Sequence, residues 1–315
     1  MISRAVLMMA YGGPGSLEDV EPYLLDVRGG RATSSELVEE IKARYAAIGG
    51  KSPLLDNTRA QAKALEETLN LSSNEDSYKI FVGMRHWFPY IREAVVEIMH
   101  AGFQQVSAIC MTPYFSRMST QAYFDQLDQA METCEKAEGI ILPQVIKIHP
   151  WYSNPLFIQA LAEKLEKGIR QFPEVKGADG MIVFTAHSLP AAIIDQGDPY
   201  EQQLRETARS VAVQLDIPNH RWEFCYQSAG ARNTRWLGPS LEETLARLAK
   251  EKTNNVLVAP IGFVSDHVEI LFDIDIEARD QAQAVGIHLE RTENLNASPG
   301  FIEALAQIIK LGGKQ

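Results

Sequence analysis

Residues 181–190 read MIVFTAHSLP: four apolar residues run without a break into Thr185, Ala186 and His187, and the stretch closes on Pro190. A short apolar run of this kind, bounded by a turn signal, fits a strand buried on both faces, as in a parallel sheet. Proline disfavours helix at the residue before it, so Leu189 must stay extended and helix cannot follow the strand at once. The strand thus ends on an imidazole whose direction is set by the chain on either side.

Similar runs recur along the chain. They predict strands at 5–10, 78–83, 105–111 and 144–148 in the first half and at 181–186, 222–226, 255–261 and 286–291 in the second. Stretches of helical period lie between them at 34–47, 56–70, 89–101, 118–136, 154–170, 200–214, 239–250 and 267–283, with 299–312 closing the chain. Ser34 or Ser35 caps the first of these helices, and Asp56 opens the second. The alternation predicts an α/β fold of two similar doubly wound domains with parallel sheets, residues 1–150 and 151–315. The last helix is free to pack back on the first domain.

In open α/β sheets a ligand sits beyond the carboxyl ends of the strands. Here those ends carry Tyr11-Gly12-Gly13-Pro14, Arg85-His86-Trp87, Pro113-Tyr114-Phe115, His187-Ser188, Gln227-Ser228 and Gly262-Phe263. Two such rims facing a central cleft would suit a flat, apolar, partly charged ligand.

Composition narrows the chemistry. The chain has 315 residues, 45% hydrophobic and 23% charged, with a formal net charge of -11 that argues against nucleic acid or an anionic membrane surface as partner. No run approaches the roughly 18 apolar residues of a membrane span, which points to a cytoplasmic protein. Cys110, Cys134 and Cys225 are far apart and form no CxxC pair, so neither a disulfide framework nor a local metal motif is expected. Against the acidic background, Arg28, Arg31, Arg44 and Lys51 make a local basic cluster suited to an anionic substrate, although each alone also reads as solvated surface.

The stretch SDHVEILFDIDIEARD, residues 265–280, places Glu269, Asp273 and Glu277 at intervals of four. On a helix these acids stack on one face, where each like-charge pair costs about 0.2–0.5 kcal/mol. Two readings stand: a capping box from Asp266 to Glu269, or a stripe that handles a divalent cation. In the second reading His187 is the natural partner, because imidazole with carboxylate suits a borderline metal such as ferrous iron. Only folding can bring residues 187 and 269 together. A serine-hydrolase elbow, a zincin helix and a Walker A loop are absent from the sequence. YGGPG at 11–15 does not match a dinucleotide fingerprint; its glycines read instead as allowing close backbone approach to a flat ligand, with Tyr11 directed at it.

Taken together, AYGGP (10–14), VRGGR (27–31), RYAAIGGKSPL (44–54), FVGMRHW (81–87), TPYFS (112–116), FTAHSLP (184–190), GDPY (197–200), QSAG (227–230), WLGP (236–239) and GFVSDHVEILFDID (262–275) resemble the ferrochelatase family along nearly the whole chain. The resemblance implies a pair of Rossmann-like domains that clamp a porphyrin, with ferrous iron as substrate and no permanent cofactor; some members of the family bind an iron-sulfur cluster through cysteines near the C-terminus, and because residues 300–315 hold none, no cluster is expected. It implies His187 and Glu269 as the metal-handling pair and Asp273 and Glu277 as an acidic path leading outward. The chain is most similar to the coproporphyrin III branch. That likeness implies Tyr11 as an axial contact to the product iron on the face opposite the histidine, and Arg28, Arg44, Tyr45, Ser52 and Tyr123 around the substrate and its propionates. The alternatives are a protoporphyrin IX ferrochelatase and a non-catalytic porphyrin carrier on the same fold. A monomer is expected, handing its product to a downstream haem-pathway enzyme, while Arg232 and Arg235 receive no assigned contact.

Overall fold

The computed structural model describes residues 2–71, 76–138, 142–230 and 234–312, which form two compact units: Met1–Trp151 with Asn296–Gln315, and Tyr152–Leu295. The first runs β1 (Ile2–Ala10), α1 (Val20–Val27), α2 (Ser35–Ala47), α3 (Leu54–Leu71), β2 (Asp76–Met84), α4 (Ile91–His100), β3 (Gln105–Cys110), α5 (Thr120–Glu138) and β4 (Gln144–Ile148). Its strands are all parallel, in the order β2-β1-β3-β4. Ala5, Val6, Leu7, Met8 and Met9 of β1 are fully buried, because helices cover both faces of a parallel sheet. This is why the strand reads as continuously apolar.

The second unit holds α6 (Pro155–Gln171), β5 (Gly180–His187), α7 (Ala192–Asp195), α8 (Tyr200–Gln214), β6 (Trp222–Gln227), α9 (Leu241–Lys250), β7 (Asn255–Ala259), α10 (Val268–Leu271), α11 (Arg279–Ala284) and β8 (His288–Arg291). Its parallel order is β6-β5-β7-β8, the first unit's order with each strand number raised by four. The two sheets therefore share one topology, a duplication that no sequence repeat reveals. In each the strand order reverses beside the first strand: between β1 and β3, and between β5 and β7. The crevice outside the carboxyl ends at such a switch point is where open α/β sheets bind ligands.

The final helix, α12 (Pro299–Gly312), belongs to the first unit. Phe301, Leu305 and Ile309 recur every fourth residue and are 1% exposed or less, which makes one apolar face. Gly312 lies so close to Ile148 of β4 that an added Cβ would come within 2.9 Å of that side chain. Gln61 Nε2 of α3 also donates to Asn296 O at 3.1 Å.

Two local expectations need correction. The helix expected at 267–283 is α10 and α11 joined by a π-helical segment, Asp273–Ala278, in which Glu277 N donates to Phe272 O at 2.9 Å. At 100° per residue, an α-helical repeat of four drifts by about 40° each step. Wider winding keeps the fourfold apolar repeat Ile270, Ile274, Ala278 and Ala282, all buried, on the sheet. The acids one position earlier stay aligned for the same reason. The second correction is at the start of this helix: its N-cap is His267, so Asp266 does not head a capping box to Glu269. Asp266 instead receives Arg291 Nη1 at 3.5 Å and Asn294 Nδ2 at 3.1 Å. Among the described residues no helix is long and apolar enough to cross a membrane.

Candidate active site

His187 is the last residue of β5, at the switch point of the second sheet, and Glu269 follows β7, the neighbouring strand on the far side of that point. The fold brings the pair together: His187 Nδ1 lies 2.9 Å from Glu269 Oε2. Their side chains are 33% and 31% exposed. Nδ1 therefore carries the proton toward the carboxylate, and neutral His187 keeps its Nε2 lone pair. Among the described residues neither His187 Nε2 nor Glu269 Oε1 has a protein hydrogen bond, and neither is a buried orphan. A nitrogen and an oxygen are thus open side by side.

The surroundings hold this pair in place. Gln227, the last residue of β6, donates from Nε2 to Glu269 O at 2.7 Å and accepts at Oε1 from Thr185 Oγ1 at 2.7 Å. Tyr200 OH donates to His187 O at 3.0 Å. Ser188 N donates to Gln227 O at 2.9 Å and Ser188 Oγ to Leu237 O at 2.8 Å, so the chain beyond the histidine is tied down before α7 begins at Ala192. Gly262, in the turn after β7, packs directly on β5: an added Cβ would fall 2.4 Å from Ala186 Cβ.

Electrostatics make His187 a stronger base than an ordinary imidazole. Burial works against its charged form, but the charge and hydrogen bond of Glu269, with Asp273 beyond, outweigh burial and raise its pKa. Glu269 moves the opposite way. Burial pushes its pKa up, yet His187 and His267 hold it well below the usual carboxylate range. His267 Nε2 lies 3.8 Å from Glu269 Oε2, and its Nδ1 faces Ser265 O at 3.1 Å.

Sequence spacing gave no reason to pair His267 with Glu269, because residues two apart on a helix do not face each other. As the N-cap, with φ -159°, His267 is extended and that rule does not apply to it. Asp273 is half-buried and accepts from Ser228 Oγ at 2.5 Å, while Glu277 is exposed, so the stripe runs from the site to solvent. Among the described residues no group of three or more His, Cys, Asp or Glu side chains could hold a metal ion.

In the first unit, Tyr11 follows β1 at the corresponding switch point and is 40% exposed. Its ring lies 4.8 Å from that of His86, whose Nδ1 is 2.8 Å from Asp26 Oδ1; Tyr90 OH donates to Asp26 Oδ2 at 3.3 Å. The Asp26–His86 pair spans 60 residues and left no trace in sequence spacing. Ser52 and Tyr45 converge on the glycine loop, since a Cβ on Gly13 would lie 2.5 Å from Ser52 Oγ and 3.8 Å from Tyr45 OH. Gly12, with φ +95°, would set a Cβ 2.9 Å from Trp87 N. Packing inside the protein therefore requires both glycines, a reason the sequence reading assigned to the ligand.

Of the basic cluster, Arg44 pairs with Glu40 at 2.9 Å and Lys51 with Asp56 at 2.7 Å, while Arg28 and Arg31 are exposed. Tyr123 is 5% exposed and lies within the core beneath Arg85. Arg235 is exposed, and Arg232 lies outside the described residues.

Comparison with known proteins finds relatives of both the sequence and the fold. The sequence model of the family described as Ferrochelatase matches residues 3–311. A protein of Deinococcus radiodurans named ferrochelatase is 44% identical over 305 residues, 97% of this chain and 94% of its own. A Geobacillus protein named coproporphyrin III ferrochelatase is 37% identical over 305 residues, 96% of each chain. Among solved structures, the sirohydrochlorin chelatase SirB of Bacillus subtilis subspecies spizizenii, in complex with cobalt, superposes with a TM-score of 0.55 over 99% of this chain and 96% of its own at 10% identity, a likeness of fold alone.

Proposed function

Because the chain belongs to the ferrochelatase family, enzymes that insert ferrous iron into a porphyrin, we propose that its substrate is coproporphyrin III and that His187 and Glu269 carry the metallation. The observation that carries the catalytic assignment is the 2.9 Å bond between His187 Nδ1 and Glu269, with His187 Nε2 left open at the sheet's switch point.

Metallation must strip two protons from pyrrole nitrogens. His187 Nε2 accepts them, and Glu269 stabilises the imidazolium that results, which the raised pKa of the histidine already expresses. Glu269 Oε1 guides ferrous iron toward the ring. Asp273 and then Glu277, progressively nearer solvent, pass protons away from the site. Tyr11 contributes its phenolic oxygen to the product iron, as tyrosine does in some haem proteins.

The choice of coproporphyrin III is supported by the relatives that bear that name and by the arginines of the first unit. Coproporphyrin carries four propionates where protoporphyrin has two, so Arg28 and Arg44 have more carboxylates to engage, and the reading includes Tyr45, Ser52 and Tyr123 among the substrate contacts. The reading includes a cytoplasmic monomer that passes its product to a downstream enzyme of the haem pathway.

Anaerobic incubation with ferrous iron and either coproporphyrin III or protoporphyrin IX tests the proposal, with the absorption change on metallation as readout. Faster turnover of coproporphyrin III is expected. Equal or reversed preference would refute the substrate assignment, and porphyrin binding without spectral change would mark a carrier. In the same assay His187→Ala should lose about 10²–10⁴-fold in rate while binding porphyrin within about tenfold of the parent.

A further inference from the structure

Arg85 follows directly on β2 and has no role in the scheme above. Its backbone N–H donates to Ala10 O at 2.8 Å, which fixes it beside the carboxyl end of β1. From there the side chain reaches toward β3. The guanidinium carbon lies 5.5 Å from the ring centroid of Tyr123 on α5, and its charge acts on the thiol of Cys110, the last residue of β3. The guanidinium is therefore near the carboxyl end of β3, which borders the switch point of the first sheet, and its charge also acts on His86.

Arg85 stands out by what surrounds it. Arg4, Arg44, Arg247 and Arg291 each pair with a carboxylate, whereas among the described residues none pairs with Arg85. Its Nε is buried and has no hydrogen-bond acceptor. A partly buried guanidinium without an acceptor is costly, and a neighbouring aromatic ring offsets only part of that cost because it supplies no lone pair to the N–H groups. Among the described residues its Nη1 and Nη2 have no protein acceptor and are not buried orphans, so an incoming anion can reach them. Arginine's planar fork matches a carboxylate with two parallel bonds.

We infer that Arg85 receives a carboxylate of the porphyrin substrate, an assignment that rests on the ferrochelatase reading and adds a substrate contact to it. The arginine then recognises the substrate's acidic periphery from the sheet's carboxyl edge, in addition to the basic cluster of residues 28–51.

Binding of metal-free coproporphyrin III and of its uncharged tetramethyl ester, measured by fluorescence in one detergent-containing buffer, tests this on the full chain. Arg85→Ala should weaken the tetra-acid about tenfold to a hundredfold and leave the ester within about twofold, as expected for loss of one charge-assisted hydrogen-bonded contact. Arg85→Lys, which keeps the charge and most of the stem, should lose less, and again only toward the acid. Equal losses for acid and ester, or no loss for either, would overturn the inference. A parent protein that bound neither porphyrin would instead overturn the underlying reading, and this inference with it.

Discussion

Gly262→Ala should slow metallation without touching a reacting group. The added methyl would sit 2.4 Å from Ala186 Cβ, 2.6 Å from Ala186 Cα and 3.5 Å from His187 N. Ordinary contact between carbon atoms is about 3.5–4.0 Å, so strand and turn must separate by about 1 Å or more. The turn cannot simply slide, because Gly262 N is bonded to Thr185 O at 3.1 Å and Gln227 ties Thr185 to Glu269 O. The displacement therefore falls on β5 just before His187 and alters its distance to Glu269. A shift of about 1 Å in a catalytic constellation costs on the order of 10²-fold in rate. Overpacking of this kind also lowers unfolding free energy by about 1–3 kcal/mol. Rates come from single-turnover metallation under anaerobic conditions, with denaturant titration as the stability control. The variant should stay folded and bind porphyrin, yet turn over about a hundredfold more slowly. Parental rate in a folded Gly262→Ala protein would refute the claim that this close packing sets the position of His187.

Glu269→Gln removes the charge that raises the His187 pKa, so the acidic limb of the kcat/KM profile should move to lower pH; an unmoved limb would separate Glu269 from the basicity of His187. The pair also links stability to pH. The raised His187 pKa gives a contribution fully present below its ordinary value of 6.5 and lost as pH rises through the folded value. The lowered Glu269 pKa gives one present above 4.5 and lost as pH falls toward the folded value. The stability difference between parent and Glu269→Gln should therefore be largest between about pH 4.5 and 6.5 and shrink on either side, as denaturant titrations across pH would show. Arg44→Ala should weaken coproporphyrin III about tenfold and protoporphyrin IX less; equal affinity of parent and variant would remove Arg44 from propionate binding. Because Arg44 is engaged by Glu40, Glu40→Gln should tighten coproporphyrin III slightly in the same titration.

The strands were legible because a parallel strand buried on both faces must be apolar throughout, and runs such as residues 5–10 and 181–186 have no other ready explanation. Most helices were legible from their period. Two were not: α1 has Pro22 in its first turn and reads as loop, and α7 is a single turn too short to show a period. The site was half legible. His187 at a strand end and Glu269 near a helix start were both visible, but Asp266 at that start supported a capping box as well as a cation site. The folded chain excludes the capping box, by sending Asp266 to Arg291, and sets Glu269 against His187.

By itself, then, the chain's order of residues determined which segments are strands, that they run parallel, and which side chains stand at their carboxyl ends. Those properties follow from local periodicity and burial. Strand order is not local. That β5 lies beside β7, and that residues 187 and 269 therefore share a switch point, was decided by how the helices pack across the sheet. The same packing winds residues 273–278 wide enough to keep Glu269, Asp273 and Glu277 in line. It also leaves Arg85, at the edge of the first sheet, with no carboxylate partner among the described residues.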